Sequence, residues 1–136
     1  MTDYTNPFEA MMAMGQEWAK AVNPALESFT PQGFEALWPT MPKEVMETLM
    51  GKTFNPDGLD AKTKLLLTLG ALTILGAQAE AQVRMTVRHA LEAGATKQEV
   101  AETIATMGVF GGVPAMTKAM ELARSVMDAD DEKAAE

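Results

Sequence analysis

Four residues in one predicted helix, Glu80, Arg84, Arg88 and His89, have the side chains best suited to chemistry on a small acid. A carboxylate can move a proton, a guanidinium can hold a carboxylate through two parallel hydrogen bonds, and an imidazole can act as a general acid or base. His89 is the single histidine of the chain, and there is no cysteine. This composition excludes thiol catalysis, cysteine-ligated metals and multi-histidine metal sites, so we expect neither a metal nor a cofactor.

The faces of this helix decide how those side chains can be used. Successive residues of 77–93 are rotated by about 100°, which places an apolar stripe in the direction of Glu80. The stripe consists of Val83, Val87 and Leu91. Arg84 lies beside Glu80, so the two charges either pair with each other in the interior or form a site. Arg88 borders the stripe, as a surface arginine or a second carboxylate ligand. His89 is predicted to point outward, as an exposed or interface residue or as a general acid or base.

The elements that position these residues are predicted to be helices. Proline, glycine and capping residues divide the chain, and no segment alternates as a strand would. We therefore predict an all-α fold of about six helices. Residues 1–57 are predicted to form short helices that pack on the core, 58–127 the core, and 128–136 an acidic mobile tail.

Local signals place the helices of the core. Asp60 is a predicted N-cap, and Thr96 with Glu99 forms a capping box at the start of another helix. Gly94 and Gly111 are predicted helix ends. The core helices are predicted at 61–75, 77–93, 97–110 and 113–127.

Composition and charge limit the partners. The chain has 136 residues and a formal net charge of −8, so phosphate backbones and anionic lipids are repelled and neither nucleic acid nor membrane is an expected partner. No apolar run approaches the ~20 residues that span a bilayer, and a cytoplasmic location is expected. Hydrophobic residues make up 47% of so short a chain, which favours apolar surface buried between subunits of a homo-oligomer.

Four strings of residues in the core share their spacing with a known family. They are Gly58-Leu59-Asp60-Ala61-Lys62-Thr63-Lys64, the small-residue corner that ends at Gly76, Ala90-Leu91-Glu92-Ala93-Gly94-Ala95-Thr96 with Glu99-Val100, and Gly111-Gly112-Val113-Pro114-Ala115. In this combination the run from 58 to about 123 resembles the carboxymuconolactone decarboxylase family, which includes the alkyl hydroperoxidase D-like proteins. The resemblance implies an all-α fold whose subunits assemble as trimers or hexamers.

The redox residues of that family are not present here. Redox members have a glutamate in the first string and a Cys-x-x-Cys pair after the corner glycine, whereas this chain has Leu65, Ala77 and Glu80 at those positions. Peroxidase activity is therefore not expected. Decarboxylase members resemble this chain more closely, because they lack the cysteine pair and tend to have a glutamate where Glu80 stands.

The family histidine is also replaced. Counted from Gly76, Arg84 occupies its position; counted back from Gly94, Thr86 does. Neither count reaches His89.

Two functions are consistent with these residues. The first is a cofactor-independent, carboxy-lyase-like activity on a small carboxylate-bearing metabolite. In it Arg84 and Arg88 hold the carboxylate, Glu80 moves the proton, and His89 is a further candidate catalytic residue. The second is a catalytically degenerate binding or scaffold module that is oligomeric, in which Glu80 and Arg84 fix the helix in the core.

Overall fold

Five α-helices account for most of residues 39–136, which, with residues 13–14, are the part of the chain that a computed structural model describes. They are α1 (Lys43–Met50), α2 (Ala61–Ile74), α3 (Glu80–Glu92), α4 (Lys97–Gly111) and α5 (Val113–Ala135). There is no strand in this described part, and the all-α prediction is confirmed. The short helices predicted within 1–38 lie outside the described residues.

α2 and α4 begin after the N-cap residues that were predicted from the sequence. The Asp60 carboxylate accepts a hydrogen bond from the backbone N–H of Thr63, with an O···N distance of 2.9 Å. At α4, the Thr96 hydroxyl accepts from the Glu99 N–H at 3.0 Å, and the Glu99 carboxylate accepts from the Thr96 N–H at 2.9 Å. Because each cap satisfies backbone donors that the helix cannot, both helix starts are fixed by local residues.

Glycines in the left-handed region end α2 and α3. Gly76 has φ 90° and Gly94 has φ 104°. After α2, the N–H of Gly76 donates to the Thr73 carbonyl and the N–H of Ala77 to the Leu72 carbonyl, the pair of hydrogen bonds that defines a Schellman motif.

The third helix begins later than predicted. Ala77 also has positive φ, at 53°, so it cannot be the first residue of a right-handed helix, and α3 begins at Glu80. Ala77 is fully buried in the corner. A larger side chain would have to displace the core at this position.

The last helix runs further than predicted. The prediction of an end near Met127 is wrong, because α5 continues to Ala135. Asp131, in this extension, pairs with Lys97 at the start of α4. An acidic sequence can continue a helix when its neighbours carry the opposite charge. The predicted mobility of 128–136, and the division at 57/58 and 127/128, stay predictions.

The core lies among four of the helices. α2 packs against both α3 and α4, and α5 packs against α3 and α4. The largest fully buried side chains of this cluster are Leu69, Val83, Val87, Val100 and Ile104. α1 packs on the start of α2, where Met46 is buried against Ala61 and Ala93. Residues 39–136 all belong to one compact unit.

Two carboxylates of the caps have lowered pKa values. Hydrogen bonds from Thr63 lower the pKa of Asp60, and the backbone N–H of Thr96, followed by Lys62, lowers the pKa of Glu99. The Lys62 ammonium lies 3.2 Å from the Glu99 carboxylate and joins α2 to α4. A lowered pKa in the folded state stabilises the fold above the ordinary pKa of the group, and that stabilisation is lost as the pH falls through the lowered value.

We therefore expect acid to weaken the fold through Asp60 and Glu99. Between pH 5 and pH 2.5 the melting temperature of the wild type should fall further than that of Asp60→Asn/Glu99→Gln. The difference should be only on the order of 2 °C, because both carboxylates are partly exposed and solvent screens their interactions. Circular dichroism melts at the two pH values measure this. Equal losses in the two proteins would contradict the assignment.

Candidate functional site

A groove with two arginines runs between α3 and the C-terminal half of α5, and we call it the arginine groove. Its volume is about 280 Å³. It is lined by Arg84, Met85, Arg88 and Leu91 of α3 and by Ser125, Val126, Ala129, Asp130 and Lys133 of α5. The size is close to the lower end of the range for small-molecule sites.

The charges of the arginine groove favour an anion. Arg84, Arg88 and Lys133 contribute three positive charges and Asp130 one negative charge, a net of two positive charges in a chain of net charge −8. A local field of opposite sign to the rest of the surface concentrates anions at that place.

The two arginines lie one helical turn apart on α3 and are both half-buried. The Nε atom of Arg88 is screened from solvent. A half-buried guanidinium in contact with apolar neighbours binds a carboxylate more strongly than one in bulk water, because the surrounding dielectric constant is lower. Both arginines line the arginine groove, whereas their roles toward a carboxylate stay predictions.

Apolar side chains complete the walls. Met85 and Leu91 come from α3, and Val126 comes from α5. Leu91 and Val126 also pack against the core, and Met85 is half-buried. The arginine groove therefore offers one charged region and one apolar region, which suits a compact acid with a hydrocarbon body.

Glu80 does not line the arginine groove. It is the first residue of α3, its side chain is 41% exposed, and its Oε1 lies 4.0 Å from Nζ of Lys118 on α5. A carboxylate in the first turn of a helix interacts favourably with the helix dipole. The expectation of a buried, inward Glu80 is therefore not met, and the carboxylate pairs across to α5.

His89 is buried, and the prediction that it points outward is wrong. Only 7% of the residue is exposed. Its Nδ1 lies 2.8 Å from the Met85 carbonyl, and the Met41 backbone N–H donates to Nε2 at 3.1 Å. Since Nε2 accepts a hydrogen bond, the ring proton is assigned to Nδ1, which donates to the carbonyl. His89 thus fastens the segment before α1 to α3 and does not line the arginine groove.

The direction of the buried side of α3 explains why both Glu80 and His89 were placed wrongly. The buried residues of the helix are Val83, Thr86, Val87, His89 and Ala90. The centre of this set is rotated by about 90° from the direction of Glu80 on the helical wheel. A stripe defined only by valine and leucine misses this direction, because threonine, alanine and histidine fill much of the buried face.

The α5 wall of the arginine groove was missed by sequence reasoning. Val126, Asp130 and Lys133 were not considered together, since 128–136 was predicted to be a mobile tail. Their spacing of four and three residues places them on one face if the helix continues. That spacing was the available signal.

The described residues contain neither a metal-binding cluster nor a membrane-spanning helix. Within 39–136, no group of three or more His, Cys, Asp or Glu side chains could hold a metal ion. None of the described helices has the length and hydropathy to span a membrane.

Comparison with known proteins gives a family match and two relatives. Residues 39–125 match the model of the carboxymuconolactone decarboxylase family. The chain is 58% identical to an uncharacterized 15.0 kDa protein in the nqo9-nqo10 intergenic region of Paracoccus denitrificans, over 134 residues that cover 98% of this chain and 100% of the relative. It is 34% identical to a 4-carboxymuconolactone decarboxylase of Acinetobacter baylyi over 76 residues, which cover 56% of this chain and 55% of that protein.

Proposed function

The chain belongs to the carboxymuconolactone decarboxylase family, and we propose that it binds a small carboxylate-bearing metabolite in the arginine groove and acts on it as a cofactor-independent carboxy-lyase. The observation that carries this proposal is that Arg84 and Arg88 line one groove together with an apolar wall. The name of the Acinetobacter relative supports the reaction type, and the lining supports the substrate class.

The proposed substrate is a carboxylated lactone or a related vinylogous β-keto acid. Such an acid has a compact ring for the apolar wall and one or more carboxylates for the arginines. Loss of CO₂ from it needs electron withdrawal and a proton, and no metal is required.

In the proposed reaction the arginines stabilise the charge that develops. The electron pair of the breaking C–CO₂ bond moves into the conjugated carbonyl, CO₂ leaves, and the resulting dienolate accepts a proton on carbon. Arg84 and Arg88 hold the retained carboxylate and the dienolate oxygen. Asp130, on the opposite helix, repels the carboxylate that leaves. Glu80 is proposed to deliver the proton through water, since its carboxylate is partly exposed at the start of the same helix.

A binding module without turnover is the second candidate. The observation that favours it is that neither Glu80 nor His89 lines the arginine groove. In that case the acid is bound and not converted. Under either function we propose a homo-oligomer, a trimer or hexamer, in the cytoplasm.

Neutral substitution of the arginines is expected to weaken acid binding. Arg84→Gln and Arg88→Gln should each raise the Kd for a carboxylated γ-lactone at least tenfold, because each removes a charge-assisted hydrogen bond worth about 1.5 to 3 kcal/mol. Isothermal titration calorimetry measures the Kd. Arg124→Gln is the matched control, since Arg124 is exposed on α5 outside the lining, and its Kd should stay within twofold. Equal effects of all three variants would contradict the site.

Turnover separates the two candidate functions. If the chain is a lyase, the wild type releases CO₂ from a bound lactone acid and Glu80→Gln slows this release without raising the Kd. Binding with no release of CO₂ from any lactone acid that binds would support the binding module. Equal rates in the wild type and Glu80→Gln would remove Glu80 from the reaction.

A further inference from the structure

One end of the helix bundle, where α2 and α4 finish and α5 begins, has an apolar surface that the proposed reaction does not use. We call it the apolar end. It consists of Ile74, Leu75, Val109, Phe110 and Val113. Each of these side chains is exposed, by 43% to 80%.

Close backbone packing brings these residues together. Gly111, the last residue of α4, lies against the end of α2: a Cβ added there would be 2.9 Å from the Thr73 carbonyl oxygen and 3.2 Å from Cα of Ile74. Phe110 immediately precedes Gly111, and α5 begins two residues after Gly111, at Val113. The ends of α2 and α4 and the start of α5 therefore present one continuous surface.

The segments that form the apolar end contain no charged residue. Residues 65–79 and residues 103–117 contain no Asp, Glu, Lys, Arg or His. These two segments of fifteen residues are the ones that supply the apolar end, in a chain with a formal net charge of −8. The charged residues that follow these segments along the chain, Glu80 and Lys118, lie 4.0 Å from each other and have opposite charges.

We propose that the apolar end is the surface through which copies of this chain associate. Its five side chains expose roughly 550 Å², which is at the upper end of the ~300–600 Å² of the largest apolar patch on a typical monomer and more than half of the ~800 Å² per partner of a stable interface. The segments that form the apolar end bring no like charges to a contact between two copies, although each copy is strongly acidic. For nucleic acid or a basic peptide, the five apolar side chains themselves offer no group with which to pair.

Phe110 is the residue expected to contribute most to this interface. Aromatic side chains near the centre of an interface carry much of the binding energy. It is flanked along α4 by Val109 and lies next to the end of α2. The proposal deepens the self-association stated above and does not depend on carboxylate binding.

Sedimentation velocity of the full chain tests this interface. The wild type should sediment as a multiple of 14.6 kDa at micromolar concentration. Phe110→Glu and Leu75→Glu should each raise the dissociation constant at least tenfold, because each places like charges opposite each other in an apolar contact. Both side chains are exposed, so circular dichroism should show an unchanged helical fold.

Phe54→Glu is the matched control. Phe54 is 73% exposed, the same fraction as Phe110, but it precedes α2 and so lies at the opposite end of that helix. It should leave the oligomer intact. A monomeric wild type, or glutamate variants that associate as the wild type does, would overturn the proposal. Calorimetry on the same samples reports lactone-acid binding separately, so failure of one proposal is distinguishable from failure of the other.

Discussion

Replacing His89 with alanine is expected to lower the free energy of unfolding by about 3 kcal/mol. The change removes two hydrogen bonds, to the Met85 carbonyl and from the Met41 N–H, each worth about 1 kcal/mol. It also leaves a cavity beside α3, because only 7% of the residue is exposed. Urea unfolding followed by circular dichroism measures the loss.

Two conservative variants separate the contributions of the ring nitrogens. His89→Asn can still donate to the Met85 carbonyl, and His89→Gln can still accept from the Met41 N–H, so each should lose less stability than His89→Ala. Gln82→Ala, exposed on the same helix, is the control and should change the free energy by less than about 0.5 kcal/mol. If His89→Gln folds as well as the wild type but no longer binds or converts a lactone acid, His89 has a catalytic role and the structural assignment is wrong.

Adding one methyl group at Gly108 is expected to destabilise the fold by about 2 kcal/mol. Alanine is the better helix former by about 1 kcal/mol, yet the added Cβ would lie 2.6 Å from Cβ of Met116 on α5. That atom is fixed to the backbone, so α4 and α5 must move apart. The lost packing should outweigh the gain in helix propensity.

A compensating change tests this explanation. In Gly108→Ala/Met116→Gly the clashing atoms are exchanged between the two helices, so the double variant should be more stable than the sum of the single changes predicts. Ala105→Gly, at an exposed position of the same helix, calibrates the propensity difference. A more stable Gly108→Ala would show that α4 and α5 are less closely packed than described.

The parts of the fold that were predicted correctly depend on local residues. Asp60 caps α2 because its carboxylate and the Thr63 N–H that it binds lie within three positions of each other, and Thr96 with Glu99 does the same for α4. Val83 and Val87 were placed in the core because helical spacing alone defines their common direction. Such signals are contained in short stretches of sequence.

The errors concern contacts between distant residues. His89 is buried because it accepts a hydrogen bond from Met41, which lies 48 residues earlier in the chain. The end of α5 is helical next to Lys97, which pairs with Asp131 from 34 residues away. No local pattern indicates either partner, so the sequence predicted an outward histidine and a helix that ends near Met127.

The candidate site shows the same division. Arg84 and Arg88 could be predicted as neighbours because they lie four residues apart on one helix. The opposite wall comes from a helix that was predicted to end before Asp130 and Lys133. Helical periodicity therefore predicts the α3 wall of the arginine groove. The α5 wall depends on how α5 packs on α3, which periodicity does not show.

The extension of α5 affects how ligand specificity can evolve. Ala129, Asp130 and Lys133 face the arginine groove, but all three are exposed, and the last α5 residue that packs against the main core is Met127. Substitutions at these three positions can alter the shape and charge of one wall with little effect on folding. Homologues could thus acquire new specificities through this helix end while the arginine-bearing helix stays constrained by the interior it helps to build.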